Sequence, residues 1–421
     1  MEKHLKNLCA LPWIGIEARP NGSFKPCCLY KDTIKDDKGM ECNTRTHTVE
    51  QAQNSKDMIE LRRKFMEGEK PSACQACWKE EDSGKKSKRI YVWEKSPELA
   101  DMGVSKNIVK PIYIDLKLGN ICNLKCRICA PNSSSQWVPE YIKLDPTAKK
   151  LWQSYNKMGQ WPREKNAFLE DADNWLPYVR YFEITGGEPL MIQEQFDVLK
   201  KCIDLGVAKH QHVHYNTNGT QFPEEAVREI WPHFKKIELA YSIDDVGKRF
   251  EYQRKNANWQ EVKTNIEKFK TSGLKNLSTQ VCTTINFFNI LYLKEMAKQV
   301  KEWAPDFWYI NVLHWPVEFD IQRLPQHVKD EITKELLGGE CYEREIKSAI
   351  SYMSQNAVKE VDPFKDSDYN SHLKKDKPMP TKEELTIERM RSHKIKEIDE
   401  LRKENFKDIF PELNNLVKIY D

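Results

Sequence analysis

Three cysteines, Cys122, Cys126 and Cys129, stand in the stretch Gly119-Asn-Ile-Cys-Asn-Leu-Lys-Cys-Arg-Ile-Cys-Ala130. The spacing is C-x3-C-x2-C, with no fourth cysteine close behind. Three thiolates can each hold one iron of a 4Fe–4S cluster, leaving the fourth iron open to another ligand. The same residues also suit a zinc knuckle or three unrelated buried thiols. Some sixty residues on, Val179-Arg-Tyr-Phe-Glu-Ile-Thr-Gly-Gly-Glu-Pro-Leu190 reads as a strand running into a glycine turn. Gly186 and Gly187 carry no Cβ to obstruct a ligand, and Glu188 can accept hydrogen bonds from an ammonium group.

These groups need a scaffold that gathers them. From about Lys110 to Pro316, strand-like runs rich in Ile, Val, Tyr and Phe alternate with helical patterns such as Gln193 to Leu205. That alternation predicts a parallel sheet with crossover helices. Later strands are expected at His212 to Thr220, Ile237 to Asp245, Gln280 to Asn286 and Phe307 to His314. Every chemical motif then falls at or after a strand's C-terminal end, where barrels of this kind gather their active-site residues. Asn216, Asn218, Asn286 and His314 are expected to line that end.

In its order of motifs the chain resembles the radical S-adenosylmethionine (radical SAM) superfamily. The resemblance rests on C-x3-C-x2-C with Ile128 before its last cysteine, Gly186-Gly187-Glu188-Pro189, Thr217-Asn218-Gly219, Ser242-x-Asp244, and Arg254 followed by the helix around Trp259. It implies an α/β fold, a partial (β/α)6 barrel. It also implies a 4Fe–4S cluster on Cys122, Cys126 and Cys129, with SAM chelating the open iron. Gly186, Gly187 and Glu188 would seat the methionine moiety and Ile128 would pack on adenine. Ser242 and Asp244 would contact SAM or substrate. The implied activity is reductive cleavage of SAM to a 5′-deoxyadenosyl radical, which abstracts hydrogen from a substrate. An external electron donor such as flavodoxin or ferredoxin is implied as a partner.

A second cysteine region precedes the barrel, with expected metal ligands Cys9, Cys27 or Cys28, Cys74 and Cys77. Cysteines two residues apart can grip one metal from a tight turn. A β-hairpin from Trp13 to Ala18, turning at Asn21-Gly22, would deliver its cysteine at the end. The element Gly22-Ser-Phe-Lys-Pro-Cys27 is similar to the start of the SPASM/twitch auxiliary-cluster domain, although that domain normally follows the barrel. It aligns Cys27 with the motif's cysteine. An auxiliary Fe–S cluster, a structural zinc and an empty thiol group all remain open at this point. Cys202, Cys282 and Cys341 are expected to be small buried side chains.

The chain's 421 residues carry 67 Lys and Arg against 64 Asp and Glu, a net charge of +3. That balance argues against a dominant nucleic-acid-binding surface. Mean hydropathy is −0.74, and no apolar run approaches the roughly 20 residues needed to span a bilayer. The opening Met1-Glu-Lys-His-Leu lacks a signal-peptide apolar region. Twelve cysteines without a secretion signal then point to metal ligation in a reducing cytoplasm. Three regions are expected: 1–105, cysteine-rich and twitch-like; 106–323, the barrel; and 324–421, a helical extension with a polar linker at 363–380. The stretch 130–178 is expected to hold a helix plus an insertion. The run Lys85-Lys-Ser-Lys-Arg89 is expected to be a solvated helix face, with Arg89 the residue able to turn inward. Asp399 and Arg402 are expected on a helical face with i,i+3 charge pairing. A peptide or protein is the expected substrate. Modification of a nucleotide or RNA is the alternative reaction, and a non-catalytic metal-binding interaction protein the alternative class.

Overall fold

The computed structural model describes residues 7–82, 86–95, 97, 109–338, 341–355 and 386–420. The linker expected at 363–380, Lys85 and the boundary near 105 lie outside the described residues.

The strands are β1 (Gly15–Ala18), β2 (Phe24–Lys25), β3 (Tyr113–Lys117), β4 (Lys125–Cys126) and β5 (Tyr181–Thr185). They continue as β6 (His212–Thr217), β7 (Lys236–Ser242), β8 (Arg254–Lys255), β9 (Leu277–Ile285) and β10 (Phe307–Val312). One eight-stranded sheet runs β10-β9-β7-β6-β5-β3-β1-β2. Its six strands from β3 to β10 are mutually parallel and lie in chain order. Helices Gln193–Asp204, Trp259–Lys270 and Leu293–Trp303 make three of the crossovers. This is the expected α/β partial barrel. The expected N-terminal hairpin is also present: β1 and β2 pair antiparallel, and Cys27 follows β2. β1 then pairs parallel with β3, so the hairpin extends the barrel's own sheet.

Alternation along each strand sets the two faces of the sheet. Ile114 and Leu116, Phe182 and Ile184, Val213 and Tyr215, and Ile237 and Leu239 are buried in one apolar core that continues into the N-terminal region. On the other face, strand register aligns Glu17, Asp115, Glu183, His214 and Glu238 in one row across five strands. Like charges directly opposite each other destabilise a sheet. Two ammonium groups and a histidine relieve this row. Lys117 pairs with Glu17 and stands 3.4 Å from Asp115. Lys88 pairs with Glu183 at 2.6 Å, and His214 Nδ1 lies 2.7 Å from Glu238. The lumen is therefore polar, in contrast to the packed interior of a closed eight-unit barrel.

Lys88 and Arg89 both depart from a solvated face. Lys88 enters the lumen, and Arg89 forms a two-pronged ion pair with Glu81 and donates to the Leu8 carbonyl at 2.8 Å. Burying a cation requires such partners, and the barrel and helix Gln75–Asp82 provide them.

The C-terminal helix Ile387–Arg402 also corrects an expectation. Asp399 and Arg402 do not pair with each other as a solvated i,i+3 couple. Both are turned into the protein: Asp399 takes Arg127 at 2.6 Å and Arg402 takes Glu140 at 2.8 Å. No helix among the described residues is long and apolar enough to cross a membrane.

Candidate metal centre

The three cysteines occupy the loop that leaves the C-terminal end of β3. β4, inside that loop, pairs antiparallel with β8, setting Cys126 opposite Arg254. Arg254 Nη1 lies 3.8 Å from the Cys126 sulfur, and its Nη2 forms an ion pair with Asp244 at 2.7 Å. The loop is bonded directly to the glycine turn: the Glu188 amide donates to the Ile121 carbonyl at 2.7 Å. Gly187 has φ +58°, and a Cβ there would stand 2.1 Å from that same carbonyl oxygen. Only glycine allows this approach.

Glu188 is 1% exposed and joins a third motif. Its carboxylate accepts from the Thr217 hydroxyl and the Asn218 amide, each at 2.7 Å, and from the Leu190 amide at 3.2 Å. Burial pushes its pKa up to about 7 against these donors. Asn218 in turn donates to Asn123 at 3.0 Å and stands 3.9 Å from the Cys122 sulfur. The cysteine loop, the Gly-Gly-Glu turn and the Thr-Asn-Gly turn thus form one bonded unit.

The donor chemistry fits an iron–sulfur cluster. Burial pushes all three thiols up, Cys122 to about 12, and the neighbouring cysteines add to the shift of Cys122 and Cys129. Arg254 opposes it at Cys126. Buried neutral thiols facing one another become thiolates readily only when a metal centre compensates their charge. Among the described residues, no three His, Cys, Asp or Glu side chains are gathered as ligands of one metal ion. A cluster does not require that, since each thiolate binds its own iron.

The other expected site residues sit as follows. Ile128 is partly buried against the main core, and Ser242 is partly exposed at the end of β7. Asp244 is 1% exposed, engaged by Arg254 and by the Thr284 amide. Asn286 does not line the cavity. It is fully buried and caps its own turn through the Thr284 carbonyl and the Phe288 amide. His314 meets the Tyr352 hydroxyl at 2.9 Å.

At the N-terminal region, electrostatic interactions link Cys9 with Cys27, Cys74 and Cys77, and Cys74 with Cys27 and Cys77. Burial raises each of these thiols first. Cys74 and Cys77 add to the shift of Cys9, Cys28 and Cys9 to that of Cys27, and Cys27 and Cys77 to that of Cys74. Cys28 turns elsewhere: Lys88 Nζ lies 3.2 Å from its sulfur, and Asp115 and Glu183 are its acidic neighbours. Cys42 and Cys202 are fully buried, whereas Cys282 and Cys341, expected to be buried, are partly exposed.

Sequence reasoning missed the lumen row. Its signal was present in the strands themselves. Tyr-Ile-Asp-Leu-Lys and Lys-Ile-Glu-Leu-Ala put a charge at every second or fourth position of strands that should be buried on both faces. Glu183 shows the row's electrostatics. Although burial raises its pKa, Lys88 and His214 bring it down to about 2 from the ordinary 4.5. A depressed carboxylate contributes stability above its unfolded pKa and loses it as pH falls through the folded one. Wild-type protein is therefore expected to lose melting temperature more steeply than Glu183→Gln between about pH 5 and pH 2. Equal slopes in a calorimetric pH series would contradict this.

The fold is thus an α/β partial parallel barrel that carries three thiols on the loop after β3. Residues 116–300 match the family model described as the radical SAM superfamily. Among solved structures, anSMEcpe with bound AdoMet is 18% identical with a TM-score of 0.33, covering 48% of this chain and 51% of its own. SuiB from Streptococcus suis is 16% identical with a TM-score of 0.34, covering 64% and 60%. The chain spans about half the length of the anSMEcpe structures it matches. No curated protein matches it.

Proposed function

We propose that this protein is a radical SAM enzyme whose catalytic 4Fe–4S cluster is held by Cys122, Cys126 and Cys129. When bound, the cluster and SAM together supply a reductive cleavage that releases a 5′-deoxyadenosyl radical able to take hydrogen from a substrate. The observation that carries this reading is the Glu188 amide on the Ile121 carbonyl, which fixes the Gly-Gly-Glu turn against the cysteine loop. In this reading Gly186 and Gly187 leave the backbone open to the methionine end of SAM. Glu188 holds the turn through Thr217 and Asn218 and presents carboxylate to the amino group. Ile128 packs on adenine. Asp244 orients Arg254, whose guanidinium supplies positive charge beside Cys126. Ser242 and Asp244 border the substrate.

Cys9, Cys27, Cys74 and Cys77 would hold an auxiliary Fe–S cluster in a twitch-like N-terminal region, residues 1–105, ahead of a barrel at 106–323 and a helical extension at 324–421. Cys27 is assigned over Cys28 because Cys27 interacts electrostatically with Cys9 and Cys74, whereas the neighbours of Cys28 are Lys88, Asp115, Glu183 and Lys117. A peptide or protein is the proposed substrate, and a flavodoxin or ferredoxin the proposed electron donor.

Anaerobic protein loaded with iron and sulfide, given SAM and dithionite, is expected to form 5′-deoxyadenosine and methionine. The Cys122/Cys126/Cys129→Ala variant should form neither. Loaded wild-type protein that binds SAM without cleaving it would overturn the reading.

A further inference from the structure

A cavity of about 410 Å³ opens beside the cysteine loop, between the β1–β2 hairpin and the end of helix Lys149–Met158. Glu17, Arg19, Asn21, Lys117, Asn132 and Tyr155 are among the residues that line it. Arg19 stands just past the end of β1, and Lys117 closes β3, its parallel neighbour. The cavity therefore lies at the strand ends that carry the other motifs. Its Lys117 wall packs against the glycine turn: a Cβ on Gly186 would stand 2.8 Å from the Lys117 Cβ.

The free charge on this wall is positive. Lys117 is committed to Glu17 and Asp115. Lys25, packed nearby, spends its ammonium group on the carbonyls of Tyr30 and Lys31. Burial first, and then the charge of Arg19, hold the Lys25 pKa below its ordinary value. Arg19 itself is partly buried, and no hydrogen bond or ion pair engages its guanidinium among the described residues. By contrast, the buried Arg62, Arg89, Arg127, Arg254 and Arg391 each hold a carbonyl or a carboxylate. The side-chain nitrogens of Asn21 and Asn132 likewise have no acceptor among the described residues. The uncommitted groups of the cavity are thus donors around one unpaired cation.

Asn132 and Tyr155 also border a shallow hollow lined by Pro131, Tyr141, Trp152 and Trp315. The two spaces form one groove, cationic at one end and aromatic at the other. A carboxylate matches a guanidinium fork with two parallel bonds. An apolar body beside it would cover the rings. Inorganic phosphate would use the cationic end alone.

We propose that Arg19 receives a carboxylate group of the substrate, whose apolar part lies along Tyr155 towards Trp315. The ligand class is an organic carboxylate with an apolar body, presented by a peptide chain end or by an acidic side chain. The inference rests on the radical SAM reading only in calling that ligand the substrate.

The test is saturation-transfer NMR on the full, cluster-loaded chain with SAM bound, at neutral pH. The probes are N-acetylphenylalanine, its C-terminal amide, N-acetylaspartic acid α-benzylamide and inorganic phosphate. At least one of the two carboxylates should bind saturably, and the tighter one names the source, chain end or acidic side chain. The amide and phosphate should bind about tenfold more weakly or not at all. Arg19→Gln should weaken the carboxylate about tenfold and leave the amide as it was. The amide or phosphate binding as tightly as the carboxylates overturns the proposal. So does carboxylate binding that Arg19→Gln does not change. Should Arg19→Gln fail to fold, the ranking of probes on the wild-type chain still decides. Displacement of the carboxylate by further SAM would assign the groove to SAM itself and overturns the proposal as well. SAM binding measured on the same sample separates this inference from the enzymatic reading: SAM bound without either carboxylate sinks the inference alone.

Discussion

Asp399→Ala is expected to destabilise the protein by about 3 kcal/mol and to strip iron from the cysteine loop, 270 residues away in sequence. Asp399 is 1% exposed and accepts four bonds: Arg127 Nη2 at 2.6 Å, the Tyr252 hydroxyl at 2.7 Å, the Phe406 amide at 2.8 Å and the Tyr420 hydroxyl at 3.0 Å. Arg127 lies between Cys126 and Cys129, its guanidinium 3.6 Å from the Tyr252 ring centroid. Removing one partner of a buried ion pair leaves the other charge uncompensated, which costs about 3–5 kcal/mol. Glu404, 2.6 Å from Arg127 Nη2, remains and holds the loss near the lower figure. Asp399→Asn keeps an acceptor and should cost less. Urea unfolding gives the first quantity, and iron retained after gel filtration gives the second. Destabilisation below about 1 kcal/mol, or full iron retention in a destabilised variant, would remove the C-terminal helix from the account of the site.

Gly187→Ala carries the second large effect, this time on chemistry. At φ +58° an alanine costs about 1–2 kcal/mol in backbone conformation alone. Its Cβ would also stand 2.1 Å from the Ile121 carbonyl oxygen and 2.9 Å from its carbon, and neither backbone atom can swing aside. Relief requires the Gly-Gly-Glu turn to part from the cysteine loop and the Glu188–Ile121 bond to break. A misplacement of about 1 Å in a positioned site can cost about 100-fold in rate. SAM cleavage is expected to fall by about that factor. Gly206→Ala is the control: φ is +69° there, yet nothing lies within 4 Å of the added methyl. It should show the conformational cost without losing SAM cleavage. Equal activity in the two variants would contradict the packing argument.

The barrel was legible because its signals are local. Period-two strands and helical crossovers recur in order, and each motif follows a strand end. The three-cysteine loop, the Gly-Gly-Glu turn and the Thr-Asn-Gly turn are contiguous stretches, so their types and spacing could be read directly. What escaped depends on distant partners. Asp399 and Arg402 sit in a charged helix that has the composition of a solvated face, and only tertiary docking shows that Arg127 and Glu140 await them. Lys88 lies in a basic run whose solvent exposure is the ordinary outcome, and the carboxylates that draw it inward stand on β3 and β5. Asn286 reads from the sequence as lining the strand-end cavity and is a turn cap, since the two differ by the direction of one side chain. The lumen row was visible as charge alternation, but its register needed the pairing of five strands.

The most direct measurement of the central claim is EPR on the Cys9/Cys27/Cys74/Cys77→Ala variant, loaded anaerobically and reduced with dithionite, with and without SAM. Only the Cys122, Cys126 and Cys129 site can then hold a cluster. The account predicts a reduced-cluster signal whose g-values shift when SAM is added, because SAM reaches the iron that no cysteine occupies. A cluster signal unchanged by saturating SAM would contradict it.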